Sequence, residues 1–202
     1  MHSDNFAITT TALVKSFGSH DAVNAIDLAV PRGSIFGFLG PNGSGKTTTI
    51  RMLLGLAEPT SGEISVLGHA IPTEIQSALP HVGALVEGPA FYPYLSGREN
   101  LTRFDSADSN ADPKTRTARV ESALARVGLT QASEKKVHAY SLGMKQRLGI
   151  ANALLQPRQL LILDEPSEGL DPLMQRSLQE LLLERVGLGR TVFFSSRSIS
   201  DR

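Results

Sequence analysis

The sequence predicts an α/β fold, with a mainly parallel sheet, an antiparallel β unit at the N-terminus and a block of helices inserted near the middle. Three observations carry this prediction. Short apolar runs at Ile35 to Leu39, Val82 to Val86, Leu160 to Leu163 and Thr191 to Ser195 alternate with helical stretches, as the strands of a parallel sheet do. Ahead of them, Ile8 to Val14 and Val23 to Val30 read as two strands joined by a turn at Gly18 to Asp21. From Tyr94 to Pro157 the texture becomes helical.

Taken in order, Ile35-Phe-Gly-Phe-Leu39 is a short buried strand, followed after a Gly-rich loop by a helix from Thr47 to Leu54. Pro59-Thr-Ser-Gly62 is a turn, and Glu63 to Leu67 alternates polar and apolar like a half-buried strand. Within the helical block, Val120, Leu124 and Val127 share one face; Arg119, Glu121 and Arg126 lie off it, and Gly128 supplies a stop. Asp105 to Lys114 is polar and poor in large apolar residues, so a surface loop is expected there. Leu160-Leu-Ile-Leu163 reads as a fully buried parallel strand. Asp171-Pro172 is a good helix start, an N-cap followed by proline in the first turn. That helix is expected to run to about Val186, where glycines end it. There is no internal repeat and no low-complexity tract.

The chain has 202 residues, one domain by length and enough for a sizeable core. Twenty basic and 20 acidic residues cancel, so composition offers no argument for a nucleic-acid or anionic-membrane partner. Cysteine is absent, which excludes disulfides, thiolate metal sites and cysteine nucleophiles, and fits a reducing compartment. Met1 to Ala7 has neither a basic region nor a following apolar stretch, so no signal peptide is read there. The longest apolar runs are far too short to span a bilayer.

The most informative stretch runs from Gly40 through Pro41, Asn42, Gly43, Ser44, Gly45, Lys46 and Thr47 to Thr48. Gly40, Gly45, Lys46 and Thr47 complete the phosphate-loop pattern G-x-x-x-x-G-K-[ST], and the strand before and helix after it give that pattern its required setting. Glycines let successive backbone N–H groups point at triphosphate oxygens, and the positive end of the following helix adds to the attraction. Lys46 would reach the β- and γ-phosphates, and the Thr47 hydroxyl would ligate Mg²⁺. Hydrolysis needs partners, and Leu160-Leu-Ile-Leu-Asp-Glu165 supplies two carboxylates at the carboxyl end of a strand, where ligands of open α/β sheets sit. Asp164 would hold Mg²⁺ through water, and Glu165 would act as general base on the attacking water.

With these residues in place, Tyr140-Ser-Leu-Gly-Met-Lys-Gln-Arg-Leu-Gly-Ile-Ala151 resembles the signature motif of the ATP-binding-cassette (ABC) family, with Ser141 and Gly143 in its invariant places. Gly169-Leu-Asp-Pro172 resembles the loop that follows the family's carboxylates, and Phe17 stands where the family stacks an aromatic on adenine. The motifs follow family order from about Phe6 to Arg197. The resemblance implies a P-loop NTPase fold filling residues 1–202, with a helical subdomain at about 88–157 inserted in the core. It also implies that Ser141 and Gly143 face the nucleotide of a second subunit in a head-to-tail homo- or heterodimer, and that Asp171 is a further nucleotide-binding residue. A separate transmembrane permease would anchor the chain at the inner, cytoplasmic face of the cell membrane, and ATP and Mg²⁺ would be its ligands. In isolation, Ser141 and Asp171 read equally as ordinary helix caps and Phe17 as an ordinary turn aromatic.

Two positions depart from the family pattern. Most members have Gln near the end of the Val82 to Val86 strand; here Glu87 stands there, in a run up to Leu101 that resembles the ATPase subunits of bacitracin, lantibiotic and related antibiotic exporters. Glu87 is expected near the metal, the alternative being a solvated acid. After Thr191-Val-Phe-Phe-Ser-Ser196 the family places a His; here it is Arg197, which donates to phosphate but cannot accept a hydrogen bond and stays charged. Arg197 either meets the nucleotide, slowing catalysis, or points to solvent. The family also continues past the equivalent of Arg202, so the C-terminal end reads as truncated. The sequence thus points to the ATPase subunit of an antibiotic or peptide exporter. The alternatives are an ATP-binding subunit impaired in hydrolysis and a soluble ABC ATPase acting on nucleic acid or ribosomes, which the neutral charge disfavours.

Overall fold

The structure, a computed structural model, describes residues 5–86 and 90–197. Two sheets organise it. The first is antiparallel, built from β1 (Phe6–Phe17), β2 (His20–Pro31), β4 (Ser61–Val66) and β5 (His69–Ile71) in the order β2-β1-β4-β5. The second is parallel, built from β3 (Ile35–Leu39), β6 (Val82–Leu85), β7 (Leu160–Leu163) and β8 (Thr191–Ser196) in the order β3-β8-β7-β6. Helix α1 (Lys46–Leu53) follows β3, and α2 (Ile75–Ala78) is a single turn before β6. The inserted helices are α3 (Gly97–Ala107), α4 (Arg116–Arg126) and α5 (Leu142–Ala153), and α6 (Pro172–Gly187) links β7 to β8.

The period-2 geometry of a strand explains how β7 is apolar throughout. Its Leu160 and Ile162 enter one core with Ile50, Met52 and Leu53 of α1 and with Ala7, Ile8, Ile64 and Val66 of the antiparallel sheet. Leu161 and Leu163 enter a second core, on the opposite face, with Leu101, Leu124, Leu148, Ile150, Leu178 and Leu182 of the helices. Helix α1 is thereby wedged between the sheets, and the inserted helices cover the far face. A β-carbon on Gly83 of β6 would come within 2.3 Å of the Ala153 carbonyl oxygen, so only glycine lets the end of α5 lie this close to the strand.

The inserted helices end where their sequence dictates. Ser96 and Glu99 form a reciprocal capping box at the start of α3, and α4 stops just before Gly128, which has φ +65°. Two expectations are corrected. Strand β3 is not a buried strand, because it lies at the edge of the parallel sheet with Ile35 37% and Leu39 63% exposed. Asp105 to Lys114 is not wholly a surface loop, because α3 continues to Ala107 and buries the Asp105 carboxylate. Asp105 is hydrogen-bonded by Arg116, Arg119 and Gln156, which compensates its charge and explains why a polar sequence can lie inside. Strand β5 and α2 went unread because three- and four-residue elements carry too few positions for a period.

Candidate functional site

In a parallel sheet, neighbouring strands end at the same edge, and here the pairs Leu39↔Ser196 and Leu163↔Phe194 bring three carboxyl ends together. The loop after β3, the acidic pair after β7 and Arg197 after β8 therefore converge, although Thr47 and Asp164 are 117 positions apart in the chain. Gly40 N–H donates to the Ser196 carbonyl at 3.2 Å and ties the first loop to β8. The loop closes on Gly45, the N-cap of α1, at φ +85°; a β-carbon there would lie 2.2 Å from the Ala22 carbonyl oxygen.

Lys46 is the first residue of α1 and is buried. Its ammonium donates to the Gly40 and Pro41 carbonyls at 2.7 and 3.0 Å and lies 3.5 Å from Glu165 Oε1. Thr47 Oγ1 donates to Asp164 Oδ2 at 2.7 Å, while Asp164 Oδ1 accepts from Ser195 Oγ at 2.5 Å. Glu165 has φ +45°, an uncommon conformation for a residue with a β-carbon. Its N–H donates to Ser195 Oγ at 2.9 Å, and its carbonyl accepts from Gln146 Nε2 and from the Glu168 N–H, both at 3.0 Å. At the rim, Arg197 Nη2 donates to Glu168 Oε1 at 2.9 Å, with both side chains about half exposed.

These groups border a cleft of about 510 Å³, within the range of small-molecule sites. Of the sequence-predicted residues, Asn42, Gly43, Gly45, Lys46, Thr47, Thr48, Asp164, Glu165 and Arg197 line it. Gly40, Pro41 and Ser44 shape the loop beneath, where Ser44 N–H donates to the Pro41 carbonyl at 3.3 Å. Four others stand outside the lining. Ser141 caps α5, accepting from Met144 N–H at 3.2 Å, and Asp171 caps α6, accepting from Met174 N–H at 2.9 Å. Gly143 lies against Gly169, where a β-carbon would come within 2.8 Å of that carbonyl. Phe17 ends β1, is 56% exposed and carries the Lys15 ammonium 5.1 Å from its ring centroid. Glu87 lies outside the described residues.

The residues here fit a magnesium–nucleotide ligand. Thr47 and Asp164 place a hydroxyl and a carboxylate side by side, the hard oxygen donors Mg²⁺ prefers. Among the described residues no group of three or more His, Asp or Glu could by itself hold a metal. Sequence reasoning missed Ser195, Gln146 and Glu168. The signal for Ser195 was a small polar residue two positions beyond Phe193, on the same face of a buried strand.

A family model described as "ABC transporter" matches residues 23–168. The chain is 44% identical over 190 residues to the uncharacterized ABC transporter ATP-binding protein YdbJ of Bacillus subtilis, covering 94% of this chain and 60% of that protein. It is also 44% identical over 198 residues to the bacitracin transport ATP-binding protein BcrA of Bacillus licheniformis, covering 96% of this chain and 62% of BcrA. It therefore spans about three fifths of the length of these relatives. A solved ATP-binding subunit of an ABC transporter superposes with a TM-score of 0.84 at 27% identity, over 96% of this chain and 80% of the other. With the phosphate loop and the acidic pair converging at one edge of a parallel sheet and the match running through most of the sequence, this chain belongs to the ABC transporter family, among its ATP-binding proteins.

Proposed function

We propose that this chain is the ATP-hydrolysing subunit of an exporter, coupling ATP binding and cleavage in a head-to-tail dimer to a separate membrane permease. The observation that carries this reading is the Thr47–Asp164 contact, which joins the phosphate loop to the acidic pair and places Glu165 beside Lys46. When bound, Mg²⁺ would neutralise triphosphate charge, with Thr47 and Asp164 as the residues holding it. Lys46, drawn from the Gly40 and Pro41 carbonyls, compensates phosphate charge. Glu165 takes a proton from the attacking water, and the loop N–H groups orient the phosphates. Ser141, Gly143 and Asp171, absent from this chain's own cleft lining, are assigned to the nucleotide of the second subunit.

The similarity to BcrA supports antibiotic or peptide export, or resistance, as the process served. Among the described residues no helix is long and apolar enough to cross a membrane, so the permease is assigned as the anchor at the inner membrane face. Residues 1–202 are assigned to a single ATPase domain, with about 88–157 as a helical subdomain inserted in its core. No nucleic-acid role is assigned, given a net charge of zero. A second reading, ATP binding with impaired turnover, is favoured by Arg197, which is engaged with Glu168 and stands where the family resemblance places His.

Mg²⁺-dependent ATP turnover of the purified chain tests both. Turnover that Glu165→Gln abolishes while ATP binding persists supports hydrolysis. Binding without turnover, restored by Arg197→His, supports the second reading. Turnover unaffected by Glu165→Gln removes Glu165 from its role.

A further inference from the structure

The acidic pair performs two tasks from adjacent residues, and one side chain holds both. Ser195 is fully buried at the end of β8. Its hydroxyl donates to Asp164 Oδ1 at 2.5 Å and accepts the Glu165 N–H at 2.9 Å. A hydroxyl can donate once and accept twice, so both bonds form together. We propose that Ser195 is the positioning residue that sets the metal-holding carboxylate of Asp164 and the catalytic carboxylate of Glu165 relative to one another, with Gln146 as a second clamp acting on Glu165 alone. The inference rests on the hydrolase reading of the site.

The two carboxylates need such a clamp for different reasons. Asp164 Oδ2 is held by Thr47, whose hydroxyl would also serve a bound Mg²⁺. Ser195 holds the other oxygen from the sheet, a rigid support, and the Asp164 N–H is fixed to the Leu85 carbonyl at 2.7 Å. The Asp164 carboxylate is thereby oriented from the core side before any cation arrives. Groups behind a metal ligand in this way commonly contribute about 10- to 100-fold to metal affinity or activity.

Glu165 needs support because of its backbone. At φ +45° it occupies a region that costs roughly 1–3 kcal/mol for a residue with a β-carbon and persists only where surroundings over-determine it. Ser195 takes its N–H; Gln146, reaching from α5, and the Glu168 N–H take its carbonyl. Both peptide groups flanking Glu165 are therefore pinned, one from the sheet and one from the inserted helices. Because Gln146 belongs to the helix capped by Ser141, a shift of α5 relative to the sheet would loosen Glu165 without touching Asp164.

This predicts a division between variants. Binding of a fluorescent ATP analogue is titrated with Mg²⁺ for the parent, Ser195→Ala, Ser195→Thr and Gln146→Ala, alongside steady-state ATP turnover and thermal unfolding. Ser195→Ala should raise the Mg²⁺ concentration for half-maximal binding and lower kcat, each by about tenfold or more, with Mg²⁺-free nucleotide affinity unchanged. Ser195→Thr, which keeps the hydroxyl, should recover the Mg²⁺ midpoint. Gln146→Ala should lower kcat and leave that midpoint alone. A Ser195→Ala midpoint equal to the parent's overturns the proposal, as does an equal midpoint shift in Gln146→Ala. If the parent binds the analogue with Mg²⁺ but does not turn over, hydrolysis fails while the midpoints still decide the role of Ser195. A parent with no Mg²⁺-dependent binding overturns the reading of the site and this inference together.

Discussion

Asp105→Ala removes the anion at the centre of the inserted helices, and the structure sets the size of the effect. The Asp105 side chain is fully buried, and Arg119 and Arg116 beside it are 16% and 29% exposed. Arg119 forks onto both carboxylate oxygens at 2.8 and 2.7 Å, Arg116 adds a bond at 3.1 Å and Gln156 one at 3.0 Å. Breaking a buried pair by deleting one partner costs about 3–5 kcal/mol, because the remaining charge is left desolvated. Residual water access to the two arginines places this case at the lower end, about 3 kcal/mol. For a chain of this size that corresponds to a Tm lower by roughly 6–12 °C. Calorimetric or urea unfolding of parent and variant measures it, and adding Arg119→Ala to complete a double-mutant cycle should return a coupling of at least about 1 kcal/mol. A Tm within about 2 °C of the parent would refute the reasoning, since exposed ion pairs are worth only up to about 1 kcal/mol. The Arg197–Glu168 pair, half exposed on both sides, is the internal control, and Glu168→Gln should stay below that limit.

The same carboxylate makes stability pH-dependent. Burial pushes the Asp105 pKa up, but Arg119 and then Arg116 outweigh it and hold the group below its ordinary value. A depressed folded-state pKa means this stabilisation is complete above the unfolded value near pH 4 and is lost as pH falls through the folded one. The parent should therefore lose stability more steeply than Asp105→Ala below about pH 4, followed by urea midpoints across the acid range. Gly45→Ala should abolish ATP binding with the fold retained, because φ +85° alone costs a residue with a β-carbon about 1–2 kcal/mol and the new atom would sit 2.2 Å from the Ala22 carbonyl. Equilibrium binding checks it, and near-parent affinity would contradict the loop geometry. Arg197→His should raise kcat by roughly tenfold with little change in ATP affinity, since a neutral imidazole can both donate and accept while the guanidinium only donates.

Much of the fold was legible because its signals are local. The Gly45-Lys46-Thr47 turn, the Asp171-Pro172 helix start and the Gly128 stop each depend on the backbone preferences of a few adjacent residues. The apolar run Leu160 to Leu163 announced burial, but not that alternate residues would serve two separate cores. Asp105 was misread because a polar sequence looks like a surface until its partners are known, and those partners lie 11, 14 and 51 residues away.

What the sequence by itself determined was the chemistry available: a phosphate loop, a hydroxyl and a carboxylate suited to Mg²⁺, a second carboxylate beside them proposed as general base, and a resemblance to a family signature, all read from residue type and spacing. The tertiary structure alone decided how these groups meet. Parallel pairing of β3, β8 and β7 brings Thr47 onto Asp164 across 117 residues and Ser195 onto Asp164 across 31. The physical reason is that a motif is written in covalent neighbours, whereas orientation of a carboxylate is set by hydrogen bonds whose partners only strand register brings within reach.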